Sequence, residues 1–320
     1  MTETRKNKLG VLATRYGTLL AMILVFIFFA IASDRFLRPD NLLNIVKQTS
    51  ILIVVALGVT VCMGVGEFDL CTGNVVCVGT ILCAHLMANL HWGLVPTIVF
   101  VILVGVLIGA INGFFVVKVG IPSMITTLAM SNFLSGLATS ITKGKAIYGS
   151  GIPQGLLKWA AGSVGPIANL TIVGIIFVII AYLFLNRSVY GRYIYACSGN
   201  PHAASLSGVN VGMWRWFCLI TCSTFCMIAG VLLMARLGTG NATAGSGYTM
   251  QALSAVFIGM TCIRIGRPNV IGTIIGAFLI AILENGLNML GVTYYYQDMV
   301  SGVVMLAAIT ITALKTDIKF

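Results

Sequence analysis

Glu67 and Asp69 lie in the stretch Gly64, Gly66, Glu67, Phe68, Asp69, Leu70, Cys71, Thr72, Gly73, Asn74, a glycine-rich break between two apolar runs. Ionisable groups at membrane depth are costly and mark pathways or partners. Broken helices at that depth survive only where they line a cavity or are buried in protein. The stretch reads equally as part of a solute path or as an ordinary turn with solvated acids. A second constellation is Glu284, Asn285 and Asn288 inside one apolar run. Glu284 and Asn288 are four apart and share a helical face. Amides alone would suit an interhelical clamp, whereas the carboxylate points to the lining of a path. Asn112, with Asn132 and Ser135, is a weaker version of the same pattern on two neighbouring runs. No base accompanies the acids in sequence, which favours a neutral solute over an amphoteric one.

Sequence able to do catalysis is nearly absent. There is no G-x-x-x-x-G-K-[ST] phosphate loop. Gly238, Gly240, Gly245 and Gly247 lack the following lysine and read as turned backbone. The histidines, His85, His91 and His202, are far apart, so a metal site is not indicated. Nine cysteines form no C-x-x-C pair and no disulfide framework. Cys218, Cys222 and Cys226 share a helical face. Without a histidine or carboxylate beside them, they read as small residues at a helix contact rather than a soft-metal ladder.

The elements that must position these groups follow from composition. The 320 residues are 58% hydrophobic with a mean hydropathy of +1.02. Only 8% are charged, against roughly 25% in soluble domains, which excludes a soluble enzyme or a disordered chain. The apolar runs are long and continuous, unlike the alternating segments of a membrane barrel. They fall at about 17–33, 45–65, 71–90, 94–117, 121–141, 167–185, 214–234, 248–263, 269–290 and 294–314. The reading is an all-α polytopic membrane protein with about ten transmembrane helices, each of roughly 20 residues. Arg5, Lys6, Lys8 and Arg15 precede the first run, no small-residue cleavage site follows it, and a retained first span is expected.

Net charge is +11. The basic residues lie in connections without interleaved aromatics, so positive-inside topology explains them better than nucleic-acid binding. With both termini cytoplasmic, 12 of the 19 lysines and arginines fall inside: Arg5, Lys6, Lys8, Arg15, Lys118, Arg187, Arg192, Arg215, Arg264, Arg267, Lys315 and Lys319. Trp92, Trp159 and Tyr294–Tyr296 then form an outer aromatic belt. Gly105, Gly109 and Gly113, like Gly272 and Gly276, read as close-packing seams. Two stretches are too polar to span, 142–166 and 186–213. Within the second, Gly199-Asn200-Pro201 is a turn. Helical turns over His202, Ala203, Ala204, Ser205, Leu206 and Ser207 follow, then a glycine stop at Gly208.

The segment G-R-Y-I-Y-A-C-S-G-N-P-H-A-A-S-L-S-G-V-N-V (191–211) resembles the signature of bacterial ABC permeases for ribose and similar monosaccharides. The likeness continues through Ala235-Arg236-Leu237, Thr243–Tyr248, Gly272–Ala277 and Asn285–Val292, and Glu67–Leu70 is similar to the family's D-L-S-x-G break. It covers nearly the whole chain. It implies one transmembrane permease domain over 1–320, in a bacterial inner membrane, that imports a monosaccharide or polyol. It also implies a second permease subunit, a binding protein that delivers the sugar, and a cytoplasmic ATPase on a separate chain. That partner binds ATP and Mg, so no cofactor is expected on this chain. The 186–213 loop becomes the coupling segment, placing Gly191, Arg192, Gly199, Asn200, Pro201, Ala203, Ala204, Ser207 and Gly208 at the ATPase. Asp69, Glu67, Asn112, Glu284, Asn285 and Asn288 are the expected path. Related permeases for branched-chain amino acids or nucleosides, and a proton-coupled transporter using Glu67, Asp69 or Glu284, stay as alternatives. Two departures stand out: Cys71-Thr72-Gly73 replaces S-x-G, and the glycine-rich turn before the ninth run has become 259–268 with Arg264 and Arg267.

Overall fold

A computed structural model describes residues 18–149, 151–165 and 167–316. The basic residues Arg5, Lys6, Lys8, Arg15 and Lys319 lie outside these. Every apolar run of the sequence falls on a helix. They are α1 (Thr18–Ala32), α2 (Pro39–Gly64), α3 (Thr72–Ala88), α4 (Leu94–Gly113) and α5 (Ser123–Thr142). After the short α6 (Gln154–Ala161) come α7 (Asn169–Tyr182), α8 (Val189–Gly199), α9 (Pro201–Leu206) and α10 (Val211–Leu237). The last described helices are α11 (Tyr248–Met260), α12 (Val270–Met289) and α13 (Tyr294–Thr316). Helices α4 and α7 each close in a π-helical turn, Phe114–Val119 and Leu183–Arg187. Counting those turns, six helices among the described residues are long and apolar enough to cross a membrane: α2, α4, α5, α7, α10 and α12. α1, α3 and α11 are apolar but shorter.

Both stretches expected to be loops carry structure. In 142–166 the polar composition hides α6, and next to it Ser163–Val164 pairs antiparallel with Ile167–Ala168. In 186–213, residues 189–199 are helical as well as the expected turn after Asn200. Polarity was a poor guide there because a surface helix needs only one buried stripe. Here that stripe is Gly191, Ile194 and Cys197.

The chain divides into two compact units, Ser50–Thr249 and Met1–Thr49 with Met250–Phe320. In the first, α10 is the central helix and packs chiefly on α4 and α3. The expected glycine seam makes this possible. A Cβ at Gly105 would lie 2.8 Å from Met227 Cγ, and one at Gly109 would be 2.8 Å from the Leu219 carbonyl oxygen. A Cβ at Gly113 would run into the Trp216 ring. Such seams let backbones approach where lipid provides no hydrophobic drive between helices. Cys218, Cys222 and Cys226 are all buried on α10, in the positions expected of small contact residues. In the second unit, Phe29, Phe36, Ile45 and Ile282 form an apolar cluster. There Gly272 and Gly276 bring α12 against the backbone of Gly259 and Ala255 on α11.

Candidate functional site

The polar break lies between α2 and α3, and local rules explain both of its edges. Helix α2 ends in a Schellman turn. Gly66 takes φ +94°, its N–H donates to the Met63 carbonyl (3.1 Å), and the Glu67 N–H donates to the Cys62 carbonyl (3.1 Å). Asp69 then folds back on itself: its Oδ1 accepts from the Cys71 backbone N–H at 2.9 Å, the short-range habit of aspartate before a helix. Between these edges the backbone is not left bare. Phe68 N–H donates to Ser123 Oγ (3.1 Å) and Leu70 N–H to Thr127 Oγ1 (3.0 Å), both on α5. Gly73 N–H donates to Thr249 Oγ1 on α11 (2.8 Å). Asn74 donates to the carbonyl (2.9 Å) and hydroxyl (2.8 Å) of Ser131. Hydroxyls of α5 and α11 thus supply what the missing helix turns would have supplied. That is how an interrupted span is kept inside protein.

Asp69 is fully buried. Its Oδ1 also accepts from the Cys71 thiol at 2.9 Å, and Asn112 Nδ2 of α4 donates to that same sulfur at 3.4 Å. The second carboxylate oxygen, Oδ2, and the Asn112 Oδ1 have no hydrogen-bond partner among the described residues. Both unpartnered acceptors belong to side chains that meet the Cys71 sulfur, and orphaned buried acceptors are costly. Asn132 and Ser135, grouped with Asn112 in sequence, are exposed on α5 and do not join this cluster.

Glu67 behaves differently from Asp69. Its carboxylate is held by the guanidinium of Arg215, in the second turn of α10. The sequence showed acids without a facing base; the structure gives Glu67 one from 148 positions away.

In the other unit, Asn285 and Asn41 exchange hydrogen bonds, each Nδ2 donating to the partner's Oδ1 at 3.0 Å. Asn41 also donates to the Phe36 carbonyl at 2.9 Å. Asn285 is therefore tied up as a clamp between α12 and α2. Glu284 is half-buried and Asn288 exposed on α12.

The 186–213 segment is assembled by caps. Ser188 Oγ accepts from the Gly191 N–H (3.2 Å) at the start of α8. Gly191 is pressed against the Leu185 carbonyl, where a Cβ would collide. Asn200 caps α9 through the Ala203 N–H (3.0 Å), with Pro201 in the first turn, and Gly208 closes the turn at φ +81°. Ala204 is the buried peg of α9. Arg192, Gly199, Asn200, Pro201, Ala203, Ser207 and Gly208 all face outward, as does Leu206, 80% exposed.

Comparison with known proteins decides what kind of machine this is. Residues 41–309 match the family model described as branched-chain amino acid transport system / permease component.

The chain belongs to that permease family.

The permease is 32% identical to the ribose import permease protein RbsC of Escherichia coli (strain K12) over 298 residues, 92% of each chain. It is 30% identical to the D-allose transport system permease protein AlsC of the same organism, over 94% of this chain and 92% of the relative. It is also 30% identical to the xylose transport system permease protein XylH of Haemophilus influenzae, over 92% and 95%. No solved structure matches the permease. As a permease component with apolar spanning helices, it is a multi-pass membrane transport subunit and not an enzyme.

Proposed function

We propose that this permease is the membrane-spanning subunit of an ATP-driven importer for a monosaccharide of the ribose type or a polyol, in a bacterial inner membrane. The observation that carries the sugar class is the end-to-end likeness to ribose, allose and xylose permeases. A cytoplasmic ATPase holding ATP and Mg, an extracytoplasmic binding protein and a second permease subunit complete the machine. All 320 residues act as one permease domain with ten spans and both termini cytoplasmic; the aromatic residues Trp92 and Trp159 are exposed where an outer belt is expected. Solute contact is assigned to Asp69 and Asn112 in one unit and to Glu284 and Asn288 in the other. Glu67 and Asn285, engaged by Arg215 and Asn41, fix the backbone near those contacts. The outward face of α8 and α9 is the coupling surface for the ATPase.

The family description supports a second reading, a branched-chain amino acid substrate. Arg215 and Glu67 neutralise each other, which leaves that pair no charge to offer an amphoteric solute. Reconstitution with the ATPase and binding protein separates these readings. D-Ribose should enter only with ATP and should ignore an uncoupler. Leucine uptake instead of sugar uptake would establish the second reading. Uptake without the ATPase, or its collapse by an uncoupler at constant ATP, would overturn the importer altogether.

A further inference from the structure

The Glu67–Arg215 pair is expensive where it stands. Glu67 keeps only 8% of its side chain exposed, so its charge is largely removed from water. Arg215 is the fifth residue of α10. Without it the largely buried Glu67 charge would be left unpaired. Arg215 is 35% exposed, so the pair has one foot in the interior and one at the surface.

Its neighbours give that position a meaning. On one side is the end of α2. A Cβ on Gly64 would lie 3.3 Å from Ile194 Cγ2 and 3.7 Å from Tyr195 Cε1, and one on Gly66 would lie 3.7 Å from Ser198. Helix α8 therefore rests directly on the turn that carries Glu67. On the other side, Arg215 follows the Asn210 cap that joins α9 to α10, and α10 packs on both α8 and α9. Two residues beyond Glu67 is Asp69, with its unpartnered oxygen. One ion pair thus joins three pieces: the α8–α9 segment, the start of α10 and the break between α2 and α3.

We infer that Glu67 and Arg215 form a latch through which movement of α8 and α9 is passed to the 65–71 break. The inference rests on the reading of α8 and α9 as the ATPase-coupling surface. Both are positioning residues. While the pair is closed, the Gly66 turn is pinned under α8 and the Asp69 side chain is held toward Cys71. When α8 moves, the Gly66 turn packed beneath it moves with it and carries the start of α10 through the ion pair, and the carboxylate of Asp69 moves with its backbone.

Hydrogen exchange of the full-length permease in membranes, read by peptide mass spectrometry, tests the latch without reference to substrate. Glu67→Gln and Arg215→Gln should each speed exchange in both 65–71 and 189–199 while leaving the middle of α3 protected. Exchanging the charges (Glu67→Arg with Arg215→Glu) should restore protection in both segments. In the complex with ATPase and binding protein, the single variants should keep hydrolysing ATP while D-ribose uptake falls about ten-fold or more, the size of a typical coupling energy. Unchanged exchange in the single variants would overturn the latch, as would exchange that rises equally in α3. If the wild-type permease takes up no D-ribose, the substrate reading fails and the exchange pattern still decides the latch.

Discussion

At the scale of single residues, the thiol at position 71 is explained by its contacts. Cys71 donates to Asp69 and accepts from Asn112, and a serine hydroxyl can do both. Cys71→Ser should therefore change thermal stability in detergent by less than about 1 kcal/mol, whereas Cys71→Ala should cost about 1–3 kcal/mol, because Asn112 Nδ2 loses its acceptor while Asp69 Oδ1 keeps only the Cys71 backbone N–H. Asn285 makes a different prediction. Replacing it with leucine strands Asn41 and should cost roughly 1 kcal/mol. Replacing both asparagines with leucine should recover most of that loss, and a double-mutant cycle on thermal unfolding measures the coupling. A variant whose stability is unmoved would mean the amide pair is not held as described.

At the scale of elements, two kinds of glycine must be told apart. Gly109 stands where α4 and α10 touch backbone to backbone, and Gly109→Val should force the helices apart at about 1–3 kcal/mol. The readout is lost detergent stability and lower membrane yield. Gly199 faces open space, with nothing within 4 Å of an added Cβ. Gly199→Trp should leave folding intact and, by obstructing the outward face of α8 and α9, uncouple ATP hydrolysis from uptake. Ala204 is a poorer place for that test, because it is the buried peg of α9 and a bulky residue there would damage packing first. Full coupling in the Gly199→Trp variant would remove this surface from the ATPase interface.

At the scale of the whole molecule, the expected topology is itself measurable. Among the described residues six helices are long and apolar enough to cross, and three more apolar helices are shorter. Ten spans require α1, α3, α11 and α13 to count as crossings too. Reporter fusions after α2 and at the C-terminus should then both report cytoplasmic placement. An odd count, seen as an external C-terminus, would require one of the shorter helices to be re-entrant. The short α3 is tolerable in either arrangement, since its N-terminal break is satisfied by α5 and α11 side chains instead of by helix.

What the sequence determined by itself is whatever depends on neighbours along the chain. Apolar runs became helices because a backbone without water must bond internally. Gly66 and Gly208 ended their turns because only glycine takes positive φ without strain. Asn200 and Pro201 opened α9 because an amide acceptor and a missing N–H suit a helix start. The seams of Gly105, Gly109 and Gly113 were legible as close packing for the same local reason. Tertiary structure alone decided which partners the polar groups found. Glu67 met Arg215 across 148 positions, and Asn285 met Asn41 across 244. Asp69 kept one oxygen unclaimed while Glu67, two residues away, lost its freedom to a cation. A hydrogen bond or ion pair is specified by distance in space, and no spacing in the chain encodes it. Three acids that looked alike in sequence therefore separate into a latched one, a buried one facing Cys71 and a half-buried one on α12.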